Sequence, residues 1–73
     1  MYCKSKVSIM YAVSFPENKD NYISIRMLDS KDWYKVTEEG RQYYVILVEN
    51  KLMIIPKKCV RTISDEEYMV EEL

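Results

Sequence analysis

The cysteine at position 59 is the first side chain that could do chemistry in this sequence. It directly follows Lys57 and Lys58, and nearby cations lower the pKa of a thiol and favour the reactive thiolate. A nucleophilic thiol also needs an oriented base. The sequence has no histidine, and no other base stands at a recognisable spacing. We therefore expect Cys59 to be structural.

Glu38 and Glu39 are the second candidate, as a carboxylate pair for acid–base catalysis. Neighbours on a strand point to opposite faces, so we expect the two to be solvated rather than to share one site. A single glycine leaves no phosphate-cradling loop, and two cysteines without histidine argue against zinc. We expect no enzyme, catalytic residue, metal or cofactor. A Cys3–Cys59 bridge stays open, although free thiols are favoured.

Aromatic side chains point to binding instead. The chain holds seven tyrosines and one tryptophan in 73 residues. Because side chains alternate along a strand, Trp33, Tyr34, Tyr43 and Tyr44 cannot all face the core, and at least two should lie outside. Tyrosine, tryptophan and arginine are enriched at the centres of protein interfaces, so these four are candidate protein-binding residues. The alternative is that the tyrosines only cover a small core.

Basic residues near these aromatic side chains allow a second kind of ligand. Four of them are candidate contacts to phosphate groups: Arg41, Lys57, Lys58 and Arg61. Together with bases stacked on Trp33 and a tyrosine, they would bind a nucleotide or a nucleic acid.

The C-terminal segment 65–73 holds five acidic residues and no basic one. It is either a solvated helix or a segment that binds a partner or mimics nucleic acid. In the second case, four acids are candidate protein-binding residues: Glu66, Glu67, Glu71 and Glu72. Ser64 and Glu67 have the spacing of a capping box, which predicts a helix over about 65–72.

Alternating and β-branched runs must position these residues. They predict strands at about 6–15, 22–28, 33–37, 43–48 and 52–56. The fold class is mainly β: a small antiparallel sheet or partly open barrel of about five strands with a short C-terminal helix, in a single domain over 1–73. The two most apolar strands form a central hairpin that turns at Glu49-Asn50 or Asn50-Lys51.

Period-two patterns also predict which side chains face the core. On the first strand these are the odd-numbered residues Val7, Ile9, Tyr11, Val13 and Phe15. On the second strand they are Ile23, Ile25 and Met27, and the two strands should pair antiparallel. Gly40 should take a positive φ in the turn after the third strand.

Three segments together resemble the C-terminal half of the YcxB-like domains, which are similar to pleckstrin-homology folds. These are Trp33-Tyr34-Lys35-Val36, Tyr43-Tyr44-Val45-Ile46 and Leu52-Met53-Ile54-Ile55-Pro56-Lys57-Lys58. The resemblance covers about half of the chain, and Val60 stands where the family has an aromatic residue. The run from Ile54 to Val60 is also similar to the last strand and helical turn of SH3-like barrels. Neither family implies one activity.

A small non-enzymatic interaction protein of the adaptor or inhibitor type is the expected function. It would bind a partner protein through an exposed edge strand, the Tyr/Trp/Arg surface or the acidic helix. The alternative is an oligomeric nucleotide- or nucleic-acid-binding protein. The strongly apolar central hairpin suggests a homo-oligomer. No signal peptide and no apolar run of about 20 residues is present, so we expect a cytoplasmic protein without membrane contact.

Overall fold

Seven antiparallel strands form one open sheet in the computed structural model, which describes residues 1–14 and 25–72, the last two by their main chain alone. The strands are β1 Tyr2–Ser5, β2 Ile9–Ser14, β3 Ile25–Asp29, β4 Trp33–Glu39, β5 Tyr43–Val48, β6 Lys51–Pro56 and β7 Val60–Ile63. A 3-10 turn at Lys57–Cys59 precedes β7, and the helix α1 spans Asp65–Glu72. The mainly β prediction is confirmed, whereas five strands was too few.

The additional strands lie where the sequence pattern was short or interrupted. The predicted first strand, 6–15, is β2 alone, and β1 precedes it across a bend that includes Val7. In that bend the Ser5 hydroxyl accepts a hydrogen bond from the Val7 N–H at 3.1 Å and donates one to the Val7 carbonyl at 2.8 Å. The chain therefore changes direction between β1 and β2 instead of continuing as one strand.

The order of the strands across the sheet is β3-β2-β6-β5-β4-β1-β7. The N-terminal strand β1 thus lies between β4 and β7, and its Tyr2 is opposite Lys35 on one side and Ile63 on the other. Strands β3 and β7 are the two edges of the sheet. Because an edge strand keeps one row of backbone donors and acceptors unpaired, these two strands are the open borders of the sheet.

The central hairpin pairs β5 with β6 along their whole length, from Tyr43 opposite Pro56 to Val48 opposite Lys51. Glu49 and Asn50 have φ values of 47° and 66°. Positive φ at both central residues is the pattern of a type I′ turn, whose twist matches that of the flanking strands. The turn at Glu49-Asn50 is therefore the one of the two predicted turns that forms.

One face of the sheet, which we call the inner face, carries the main buried cluster, while Val45 is buried on the opposite, outer face. Among residues 1–14 and 25–70, the members of this cluster come from six of the seven strands and from no loop: Cys3, Met10, Ala12, Leu28, Ile46, Val48, Met53, Ile55 and Val60. Tyr34, Val36, Tyr44 and Cys59 pack against this cluster while partly exposed. Removing such apolar side chains from water is the main stabilising contribution in a chain of this length.

The only glycine of the chain does not have the positive φ that its position in a turn predicted. The Tyr43 ring lies against it instead. A Cβ added to Gly40 would come within 2.2 Å of the Tyr43 Cε1 atom, and the Gly40 N–H donates to the Tyr43 carbonyl at 2.9 Å. Gly40 is therefore needed for close approach to a ring rather than for left-handed backbone.

We expect the substitution Gly40→Ala to lower the free energy of unfolding by about 1 kcal/mol, because the half-exposed Tyr43 ring must swing away. In a Tyr43→Ala background the same substitution should cost almost nothing. Urea unfolding of the four proteins of this double-mutant cycle measures the coupling. Equal costs in both backgrounds would show that the ring is not the reason for glycine at this position.

Candidate functional site

The β2–β3 hairpin presents four large apolar side chains to solvent. Ile9 is 55% exposed, Tyr11 61%, Ile25 67% and Met27 61%. Tyr11 lies directly opposite Met27, and Val13 lies opposite Ile25, so these residues share one face of the hairpin. We call Ile9, Tyr11, Ile25 and Met27 the apolar hairpin face.

This exposure reverses the predicted orientation of both strands. On β2 the buried residues are Met10 and Ala12, and on β3 the buried residue is Leu28. Ile9, Tyr11, Ile25 and Met27, and Val13 with them, lie on the outer face, so their prediction as core-facing residues was wrong. Val7 lies in the bend and is exposed, while Phe15 and Ile23 lie outside the described residues.

The antiparallel pairing of β2 with β3 is confirmed, and an ion pair fixes the far side of the hairpin. Arg26 of β3 donates from its two terminal nitrogens to the Glu49 carboxylate at 2.6 and 2.5 Å. The guanidinium lowers the pKa of Glu49 from its usual range, first through these hydrogen bonds. Arg26 is opposite Ala12, on the inner side. The pair thus links the hairpin to the β5–β6 turn on the side opposite to the apolar hairpin face.

Trp33 and Arg61, two of the predicted site residues, come together on the outer face of β4, β1 and β7. The Arg61 guanidinium carbon is 5.0 Å and the Lys4 Nζ is 5.3 Å from the Trp33 ring centroid, which is cation–π distance. Lys4 bridges the two because β1 lies between their strands. Sequence reasoning missed Lys4, since only the pairing of distant segments brings it there.

The other predicted aromatic residues do not join that cluster. Tyr34 and Tyr44 face inward and pack on the core, whereas Tyr43 points to the outer face over Gly40. The Lys57 Nζ lies 5.0 Å from the Tyr44 ring centroid and 2.5 Å from a Glu39 carboxylate oxygen. The four aromatic side chains therefore do not form one surface.

The predicted phosphate-contacting residues are likewise divided between two places. Arg41, Lys57 and Lys58 line a shallow cleft with Gln42 and Pro56. Arg61 lies apart from this cleft, against Trp33. In the cleft, Lys57 is already engaged by Glu39, so its charge is partly compensated. A base stacked on Trp33 would contact Arg61 rather than the cleft.

The acidic helix α1 begins with the predicted Ser64 cap. The Glu67 N–H donates to the Ser64 hydroxyl oxygen at 3.1 Å, and the Ser64 hydroxyl also lies 3.2 Å from the Glu67 carboxylate. The helix packs through Tyr68, whose ring stacks on Tyr2 with centroids 3.7 Å apart. Asp65 forms an ion pair with the N-terminal amine.

The acidic residues Glu66 and Glu67 are exposed in the first turn of this helix. Glu71 and Glu72 end it, and only their main chain is described. The first-turn acids stand at the positive end of the helix dipole, which favours negative charge there. The helix therefore forms as predicted and is anchored on β1 by an aromatic contact.

Both cysteines are free thiols. Cys3 is fully buried, and burial raises its pKa to about 11. Cys59 packs partly against the core, and the Lys6 N–H donates to its carbonyl oxygen at 2.8 Å. Residues 1–14 and 25–72 hold no group of three side chains that could bind a metal ion.

Within residues 1–14 and 25–72, no helix is both long and apolar enough to cross a membrane. No family model, curated protein or solved structure matches this chain. The resemblance to YcxB-like and SH3-like domains therefore stays a prediction from sequence, and the chain is characterised by its own geometry: an open antiparallel sheet with an exposed apolar hairpin face.

Proposed function

We propose that this chain is a non-enzymatic interaction protein of the adaptor or inhibitor kind, which binds a partner protein through the apolar hairpin face. The observation that carries the proposal is the side-by-side exposure of Ile9, Tyr11, Ile25 and Met27. Large apolar side chains in one contiguous exposed patch mark interaction surfaces, whereas single exposed apolar residues are ordinary.

The chemistry of these side chains suits a protein interface. Tyr11 supplies a rigid aromatic surface with a polar tip, and Met27 opposite it is an adaptable apolar side chain. The hairpin ends in β3, an edge of the sheet, so a docked partner would also reach unpaired backbone groups. This location combines one of the predicted binding routes, the edge strand, with a surface that the sequence pattern assigned to the core.

The other edge of the sheet is less open to a partner strand. Strand β7 has only four residues, and it carries Arg61 and continues within two residues into α1. Short strands and charged side chains are features that protect edges from unwanted pairing. Strand β3 has five residues and two charged side chains, Arg26, which is paired with Glu49, and Asp29 at its end. The β2–β3 side is favoured because the apolar hairpin face lies next to its edge, whereas the β7 edge continues into α1.

The test is to express the protein in its own host and to analyse it by native mass spectrometry, with Met27→Lys as the disrupting variant. A bound protein should accompany the unsubstituted chain and be lost from the Met27→Lys variant, since a lysine would be buried there without a partner. Met69→Lys is the matched control, because Met69 of α1 is 64% exposed against 61% for Met27. Retention of the same protein by both variants would refute this site.

A further inference from the structure

Resting on the proposed function, we infer that the protein docked on the apolar hairpin face is a second copy of this chain, so that two β2–β3 hairpins pack face to face about a two-fold axis. The structure supports this through the charge, the area and the position of the face. Two sheets packed in this way lie about 10 Å apart, with their side chains interdigitated.

The centre of the apolar hairpin face carries no charged side chain that would repel a second copy. A two-fold axis places every side chain near it opposite its own copy, so a charged residue there would meet a like charge. The outward positions Ile9, Tyr11 and Val13 of β2 and Ile25 and Met27 of β3 carry no charge. Asp29, the outward carboxylate of β3, lies at the end of the strand, where it accepts a hydrogen bond from the Lys31 N–H at 2.8 Å. The centre of the hairpin face is thus self-complementary.

Area is the second argument. The four exposed side chains of the apolar hairpin face present roughly 400 to 500 Å², so two copies would bury close to 1,000 Å² in total. This is the lower limit of specific protein interfaces, which predicts a dimer whose population depends on protein concentration.

The apolar hairpin face lies on a side of the sheet that helix α1 does not cover through its Tyr68 contact. A sheet with apolar side chains on both faces is stable when a second layer covers the outer one. Helix α1, the one α-helix within the described ranges, packs at Tyr2 through Tyr68 instead. Met10, Ala12 and Leu28 are buried on the other side of the hairpin, so its apolar face is directed outward. A second copy offers an identical uncharged layer.

Sedimentation velocity of the purified full chain from about 10 µM to about 1 mM tests the inference. We expect a monomer–dimer equilibrium that is weakened at least tenfold by Met27→Lys, since each copy would then bring a charged side chain into the apolar contact, and weakened less by Tyr11→Ala, which adds no charge. Met69→Lys should behave as the unsubstituted chain. Circular dichroism verifies that each variant is folded.

Two outcomes would overturn the inference: an unsubstituted chain that stays monomeric up to about 1 mM, or a dimer that neither Met27→Lys nor Tyr11→Ala weakens. Its failure is distinguishable from failure of the proposed function. A monomer that still retains a different protein in its host, and loses it on Met27→Lys, would overturn the second copy and keep the docking face. If Met27→Lys changes neither the monomer–dimer equilibrium nor the retention of a host protein, both the inferred dimer and the proposed docking face are wrong.

Discussion

Replacing Ile46 by alanine should lower the free energy of unfolding by about 3 kcal/mol, a large fraction of the stability of so small a chain. Ile46 is fully buried on the inner face of β5, within the core cluster. Truncation removes three apolar carbons from the core and leaves a cavity that the surrounding strands fill only in part. The lost burial and the remaining cavity both lower the free energy of unfolding.

Leu47→Ala is the matched control for this prediction. Leu47 is the next residue of β5, and it is 40% exposed on the outer face, opposite Leu52. Both substitutions remove three carbon atoms, so their difference mainly reports burial, with a smaller contribution from the higher strand propensity of isoleucine. Urea unfolding followed by the fluorescence of Trp33 should give a loss below about 1 kcal/mol for Leu47→Ala. Comparable losses for the two variants would contradict the assignment of the faces of β5.

Cys3 should be almost inert to thiol reagents at pH 8, although it lies in the third position of the chain. Burial raises its pKa to about 11. At pH 8 only about one thiol in a thousand would then be ionised, against roughly one in four for an ordinary cysteine. Labelling of a Cys59→Ala variant, which keeps Cys3 alone, should therefore be at least a hundredfold slower in the folded protein than in urea. Equal rates in both states would show that Cys3 is accessible.

The raised pKa of Cys3 also makes the free energy of unfolding fall at alkaline pH. The folded protein favours the neutral thiol of Cys3. The stabilisation that results is fully present below the pKa of the thiol in the unfolded chain, which is about 8.5. It is lost as the pH rises from there through about 11, by about 3 kcal/mol in total. Comparing unfolding at pH 8 and pH 10.5 for the unsubstituted chain and for Cys3→Ala separates this loss from the ionisation of tyrosines and lysines. An equal loss of unfolding free energy in the unsubstituted chain and in Cys3→Ala would show that Cys3 is not the cause.

Local signals were sufficient for the parts of the fold that the sequence predicted well. The run from Tyr43 to Val48 is strand β5 with the same bounds. The helix predicted over 65–72 is α1, because the Ser64 side chain satisfies a donor of its first turn. In each case, the residues that determine the element lie within it or directly beside it.

The orientation of β2 could not be read from the sequence because neither of its alternating sets of side chains is charged, and on β3 the charge of Arg26 favoured the orientation opposite to the observed one. On β2, Ile9 and Tyr11 compete with Met10 and Ala12 for the core, and period two cannot choose between two apolar sets. Strand β1 was missed because its formation depends on β4 and β7 rather than on its own four residues. The approach of Lys4 and Arg61 to Trp33 follows from β1 and was hidden for the same reason.

The insertion of β1 between β4 and β7 has a consequence for the time course of folding. Cys3 is paired with Thr62, so this contact joins segments almost sixty positions apart in a chain of 73. During synthesis, β1 has no neighbour until β4 has been made, and its second neighbour, β7, is made later still. Pairings of such wide sequence separation are slow to form. The β5–β6 hairpin can fold early, whereas β1 cannot complete its pairing until β7 has been made.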